Sequence, residues 1–250
     1  EDEINAVLKV LKENRLALMA GSNVKELEKK VSKLFNKKYG LMVNSGSSAN
    51  LLAVKSLNLK KGSKVITPAL TFSTTVSPLV QSNLIPLFID VEKETLQINT
   101  ELLENIALEN VSAICVPNLI GNIANWNEIY SFAQANNLKV IEDSADTIGY
   151  EYESDFKDWA DVSTTSFYAS HIINGAGTGG IVCFNDFELY QRAKLLRGWG
   201  RSSAHFNESE SIKDRFNVKI SGIDYDAKYI FSDLGYNFLP SEISATFAIE

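Results

Sequence analysis

The stretch "GLMVNSGSSANLLAVKSL", residues 40–57, decides the fold. It opens with a short apolar run that reads as a strand (40–44) and passes through a Gly/Ser turn. From residue 48 onward its apolar residues recur at intervals of three and four, the spacing of a helix. The same alternation runs along the chain. Strands are expected at "KVITP" (64–68), "IPLFIDV" (85–91), "SAICVPN" (112–118), "KVIEDS" (139–144), "VSTTSFY" (162–168) and "GGIVCFN" (179–185). Helices are expected at "NVKELEKKVSKLF" (23–35), "NTELLENIAL" (99–108) and "NWNEIYSFAQANN" (125–137), with an amphipathic helix at the N-terminus. Strands alternating with helices imply an α/β domain, a mostly parallel sheet flanked by helices. Too few residues join the last two strands for a helical crossover, so that pair is expected to be antiparallel.

The composition suits one globular body: 250 residues, 45% hydrophobic and 22% charged. A formal charge of −7, from 31 acids against 24 bases, gives no electrostatic footprint for nucleic acid or an anionic membrane. No run approaches the roughly 20 apolar residues of a membrane helix, and the N-terminus lacks the pattern of a signal peptide, so a cytoplasmic protein is expected. Cys115 and Cys183 each lie within an apolar run and read as packed, reduced thiols. The chain starts without Met and ends inside the helical pattern "SEISATFAIE", as expected of a piece of a longer protein.

Open α/β sheets bind ligands beyond the carboxyl ends of their strands, which points to Ser45–Ser48, Pro68–Phe72, Asp143–Asp146 and Ser166–His171. The "SGSS" turn opens a helix, so its amides and hydroxyls suit either a phosphate or ordinary capping. "KVIEDSAD" ends a strand in carboxylates that are either solvated or buried beside a cation. His171 is one of two histidines: either a packed or surface ring, or a group exchanging a proton near neutral pH. "GAGTGG" (175–180) spells G-x-G-x-x-G but precedes a strand, where a dinucleotide fingerprint follows one. It is read as a glycine turn that permits close backbone approach.

Taken in order, "SGSSAN", "TPALTFSTT", "EDSAD", "SFYASH" with its "GTGG", and "GYNFLPSEI" resemble the DegT/DnrJ/EryC1/StrS family of pyridoxal phosphate (PLP) sugar aminotransferases. The resemblance implies fold type I, the aspartate-aminotransferase-like α/β fold. Residues 1–250 would be the large PLP-binding domain with its N-terminal helical segment, without the family's smaller C-terminal domain. It further implies that Gly46, Ser47 and Ser48 bind the cofactor phosphate, joined by Ser166. Phe72 and Ala145 would flank the pyridine ring, Asp143 would pair with its nitrogen, and Asp146 would join the cofactor site. Asn237 would reach the neighbouring subunit's site, implying a homodimer with shared active sites.

Two departures from the family pattern bear on function. Family aminotransferases carry a lysine five residues after the serine of the "SF" motif, because an amine must bond covalently to the cofactor. Here that position is His171, and imidazole cannot form the bond. The second departure is Asp146, where the aminotransferases typically have glutamine. Together they resemble the nucleotide-sugar 3-dehydratase branch, of the GDP-4-keto-6-deoxymannose 3-dehydratase kind. That branch implies PLP or pyridoxamine phosphate (PMP) held non-covalently, with L-glutamate and a nucleotide-linked 4-keto-6-deoxyhexose as partners. A sugar aminotransferase is the alternative reading.

Overall fold

A computed structural model describes residues 1–13, 18–149, 158–206 and 212–250. Eight α-helices lie among them: α1 (Asp2–Glu13), α2 (Ser22–Leu34), α3 (Gly46–Ser56), α4 (Ser73–Gln81), α5 (Trp126–Ala135), α6 (Phe187–Arg197), α7 (Ile212–Arg215) and α8 (Glu242–Ile249). Seven strands form the main sheet: β1 (Tyr39–Val43), β2 (Lys64–Pro68), β3 (Ile85–Ile89), β4 (Val111–Pro117), β5 (Lys139–Asp143), β6 (Val162–Ser166) and β7 (Gly180–Phe184). Their order is β1-β7-β6-β5-β4-β2-β3.

The expected antiparallel pair, β6 and β7, is present, and β7 also runs antiparallel to β1. All other pairings in this sheet are parallel, so β7 alone is reversed in it. The carboxyl ends of β1, β2, β4, β5 and β6 therefore open on one edge. A two-stranded hairpin, β8 (Val218–Ile220) with β9 (Ile223–Tyr225), lies within the segment after residue 200 that reads as an irregular insertion. Residues 207–211 of that segment lie outside the described residues.

Successive strand residues point to opposite faces, and this parity divides the core. Leu41, Val43, Val65, Ala113, Cys115, Ile141, Val182 and Phe184 pack with α3 on one face. On the other, Ile66, Ile114, Val116 and Val140 meet Trp126, Ile129 and Ala133 of α5, while Met42, Ile181 and Cys183 meet Val24, Leu27 and Val31 of α2. The same parity sends Asp143 to the face of α3 and α4, and Glu142 to the opposite face.

The expected helix at 99–108 is instead a 3₁₀ turn, Thr100–Asn105. Its buried residues, Thr100 and Leu103, are three apart, a spacing that 3₁₀ geometry satisfies as well as α.

One long-range cap ties the chain's ends together. Glu242 of α8 is 1% exposed, and its carboxylate accepts from the amides of Asn23 (3.1 Å) and Val24 (2.9 Å) and from Asn23 Nδ2 (2.9 Å) at the start of α2. Removing it strands three donors, so Glu242→Ala is expected to lower unfolding free energy by about 3 kcal/mol. Urea titration checks this, and a loss well below 1 kcal/mol would contradict the cap.

Candidate active site

At the carboxyl edge lies a cavity of about 690 Å³, lined by residues from five strand ends and the turn before β7. Close backbone approach builds one wall. A Cβ on Gly46 would fall 2.5 Å from Ser166 Cβ, and one on Gly180 would fall 2.5 Å from the Ser45 carbonyl carbon. Only glycine lets α3 begin against the ends of β6 and β7. Ser45 caps α3, its Oγ accepting from the Ser48 amide at 3.1 Å. The amides of Gly46 and Ser47, in the first turn, have no partner within the helix and stand at its positive end, a site for an anion.

The floor is Asp143, 6% exposed. Its Oδ2 accepts from Asn50 Nδ2 (2.7 Å) and Thr75 Oγ1 (2.8 Å), and its Oδ1 accepts only a longer bond from the Ala145 amide (3.3 Å). Burial pushes the Asp143 carboxyl above its ordinary range, against the opposing pull of the Thr75 and Asn50 hydrogen bonds. Among the described residues no cationic side chain pairs with it. A buried carboxylate with an open oxygen and no cation is suited to a cationic ligand group.

His171 closes the opposite side. Its Nδ1 lies 3.2 Å from the Ser166 carbonyl, which can only accept, so that contact selects the tautomer with hydrogen on Nδ1. The lone pair then sits on Nε2, 3.6 Å from Asp146 Oδ1. Tyr168 meets the ring edge-on, with centroids 6.0 Å apart.

Most of the residues named from sequence converge here: Gly46, Ser47, Phe72, Asp143, Ala145, Asp146, Ser166 and His171 all line the cavity. Phe72 is 68% exposed, its ring open to a ligand or a neighbouring chain. Two do not line it. Ser48 is buried, its hydroxyl accepting from Ser45 Oγ at 3.0 Å, so it supports the turn from behind. Asn237 is exposed and bridges to the backbone of Gly198.

Sequence reasoning missed Asn50 and Thr75, the two side chains that fix Asp143. Asn50 stands four residues after Gly46, on the same helical face, and that spacing was the available signal.

A helix start suited to an anion, a buried carboxylate suited to a cation and an imidazole meet where an open α/β sheet binds its ligands, the arrangement of a candidate active site. The chain belongs to the DegT/DnrJ/EryC1/StrS aminotransferase family, whose model matches residues 1–249. It is 34% identical over 261 residues to dTDP-4-dehydro-2,6-dideoxy-D-glucose 3-dehydratase of Saccharopolyspora spinosa, a match spanning 100% of this chain and 56% of that protein. It is 32% identical over 260 residues to GDP-4-keto-6-deoxy-D-mannose 3-dehydratase of Yersinia pseudotuberculosis, covering 100% and 63%.

Among solved structures, the E. coli GDP-4-keto-6-deoxy-D-mannose-3-dehydratase with bound hydrated PLP superposes with a TM-score of 0.86 at 31% identity, covering 100% of this chain and 64% of that one. The chain thus spans rather more than half the length of these relatives. The fold type I architecture expected from the motifs is the one observed. Among the described residues no helix is long and apolar enough to cross a membrane.

Proposed function

We propose that residues 1–250 form the large domain of a nucleotide-sugar 3-dehydratase. It holds PLP or PMP without a covalent bond, takes L-glutamate as amino donor, and removes the C3 hydroxyl of a nucleotide-linked 4-keto-6-deoxyhexose. One observation carries the reading. The side chain that reaches the cavity from the end of β6 to move protons is the imidazole of His171, and no lysine lines the cavity among the described residues. Relatives named as 3-dehydratases at 34% and 32% identity support the same reaction class.

When bound, the cofactor supplies an amine that condenses with the sugar's C4 ketone and a protonated ring that accepts electrons. The residues fit it. Asp143, buried without a cation among the described residues, would pair with the ring nitrogen, and Phe72 and Ala145 would flank the ring. The Gly46 and Ser47 amides would hold the phosphate with the Ser166 hydroxyl, and Ser48 keeps the Ser45 cap in place.

His171 removes a proton from carbon onto Nε2 and returns it to the departing C3 hydroxyl, which leaves as water. A lysine amine at this position would bond to the cofactor and complete amino transfer. Imidazole moves protons but cannot form that bond, which leaves elimination as the outcome.

Among the described residues the cavity's lining holds the carboxylates Asp143 and Asp146 and no Lys or Arg, yet its proposed ligands carry phosphates. Cations from outside this surface must balance them. We place those in the partner of a homodimer, with Asn237, exposed beyond this chain's own cavity, contributing to the partner's site. Burial of the free thiols Cys115 and Cys183, which raises both above the ordinary thiol range, suits a cytoplasmic protein.

The decisive experiment incubates the full-length protein with PLP, L-glutamate and GDP-4-keto-6-deoxymannose and identifies the sugar by mass spectrometry beside an ammonia assay. A product lacking one oxygen, with ammonia released, is expected. A 4-amino sugar without ammonia would replace this reading with that of a sugar aminotransferase.

A further inference from the structure

The turn after β4 contains a backbone conformation that its residue does not favour. Ile120 has φ 57° and ψ 34°, the left-handed region, where a β-branched side chain is an outlier. Its side chain is 68% exposed, so burial of that side chain does not explain the conformation. Such strain persists only where the surroundings over-determine it, and here they do.

Asn118, 1% exposed, anchors one side of the turn. Its Nδ2 donates to Ser144 Oγ (2.8 Å) and Glu142 Oε1 (3.2 Å), and its Oδ1 accepts from the Ala124 amide (3.1 Å) and Trp126 Nε1 (2.9 Å). Leu119 is pinned from the other side, its carbonyl accepting from Gln97 Nε2 at 3.0 Å and its amide donating to Gln97 Oε1 at 3.3 Å. What the strained residue achieves is visible in its own amide, which donates to Asp146 Oδ2 at 3.1 Å. That bond leaves Oδ1 turned toward His171 Nε2.

We propose that Asp146 is a positioning residue that acts through His171, its carboxylate aimed by the Ile120 amide at the nitrogen that carries the lone pair. Two acceptors then flank the ring, the Ser166 carbonyl at Nδ1 and Asp146 at Nε2, with Tyr168 against its edge. The Ser166 carbonyl and Tyr168 hold the neutral ring, and the carboxylate, 3.6 Å from Nε2, becomes its partner and counter-charge once Nε2 has taken a proton. The proposal rests on His171 as the proton carrier of the function above. It departs from the expectation that Asp146 serves the cofactor directly.

The test uses the full-length protein with Asp146→Asn and Asp146→Ala. Asparagine keeps the volume and an oxygen for the Ile120 amide, so a merely structural role would survive in Asn and fail only in Ala. A role of charge through His171 is lost in both. The expected result is a kcat lowered about 100-fold in each variant, with KM for the nucleotide sugar and cofactor affinity, followed by absorbance, within about threefold of wild type.

In the cofactor-free protein, the His171 ring resonances, identified by their loss in His171→Asn, are expected to shift in Asp146→Asn. Wild-type kcat in Asp146→Asn, a matching loss of cofactor affinity, or unmoved ring resonances would each overturn the proposal. The wild-type product is scored separately. If it is an amino sugar, the dehydratase reading fails, while the comparison of kcat with binding still decides the role of Asp146.

Discussion

Asparagine in place of His171 is expected to slow formation of the 3-deoxy sugar about 10³-fold while leaving cofactor affinity within about threefold of wild type. The split follows from where the residue's atoms lie. Asparagine can place an amide near the Ser166 carbonyl that now receives Nδ1, so the wall of the cavity survives. No amide nitrogen takes up a proton near neutral pH, so the transfer assigned to Nε2 has no carrier. The Asp143 carboxylate and the amide terminus of α3, to which the cofactor's binding is assigned, belong to other elements and are untouched, so binding is expected to stay. Single-turnover kinetics beside a cofactor titration measure the two quantities. A rate within tenfold of wild type would mean that another group, or water alone, moves the proton, and a collapse in affinity would mean that the ring holds the cofactor.

How far the site was legible in the sequence depended on which interactions were local. The strand-turn-helix at 40–57 was readable because a Gly/Ser turn, a cap and the helical period all lie within one window. The residues at the carboxyl ends of strands followed from the parallel topology, and eight of the ten residues named line one cavity. Helix α4 was not readable. Its sequence, STTVSPLVQ, combines hydroxyl and β-branched residues with an internal Pro78, and its helicity comes from packing against α3 and β3.

Glu142 and Asp143 are adjacent in sequence, and nothing local says which one faces the ligand. Their parity relative to Ile141 decides it, once α3 is known to lie on the Ile141 face. The partners Asn50 and Thr75 lie 93 and 68 residues from Asp143, distances that no local pattern spans. The strain at Ile120 was invisible for a related reason: a left-handed isoleucine is dictated by Asn118 and Gln97, which hold its neighbours.

Asp143→Asn should pull stability and binding in opposite directions. In the cofactor-free protein, burial holds the Asp143 carboxyl above its ordinary range, so the folded state binds its proton more tightly than the unfolded chain does. The contribution of this group therefore favours folding below the ordinary aspartate range and is lost as pH rises through the folded value. Above that value the protein carries a buried charge whose helpers, Asn50 and Thr75, are neutral donors. Asparagine can accept both of those bonds without the charge. The cofactor-free variant is thus expected to melt higher than wild type above that value, with the difference shrinking as pH falls through it.

Binding responds the other way. Loss of the carboxylate would leave the ring nitrogen facing an amide, and breaking a buried pair costs about 3–5 kcal/mol, or roughly 10²–10⁴-fold in affinity. Thermal melts of the cofactor-free protein across pH, beside an absorbance titration with PLP, read both effects. Unchanged affinity would remove Asp143 from the cofactor site. A variant less stable at every pH would mean that the carboxylate stabilises the fold by itself, and its burial would then need no cation to account for it.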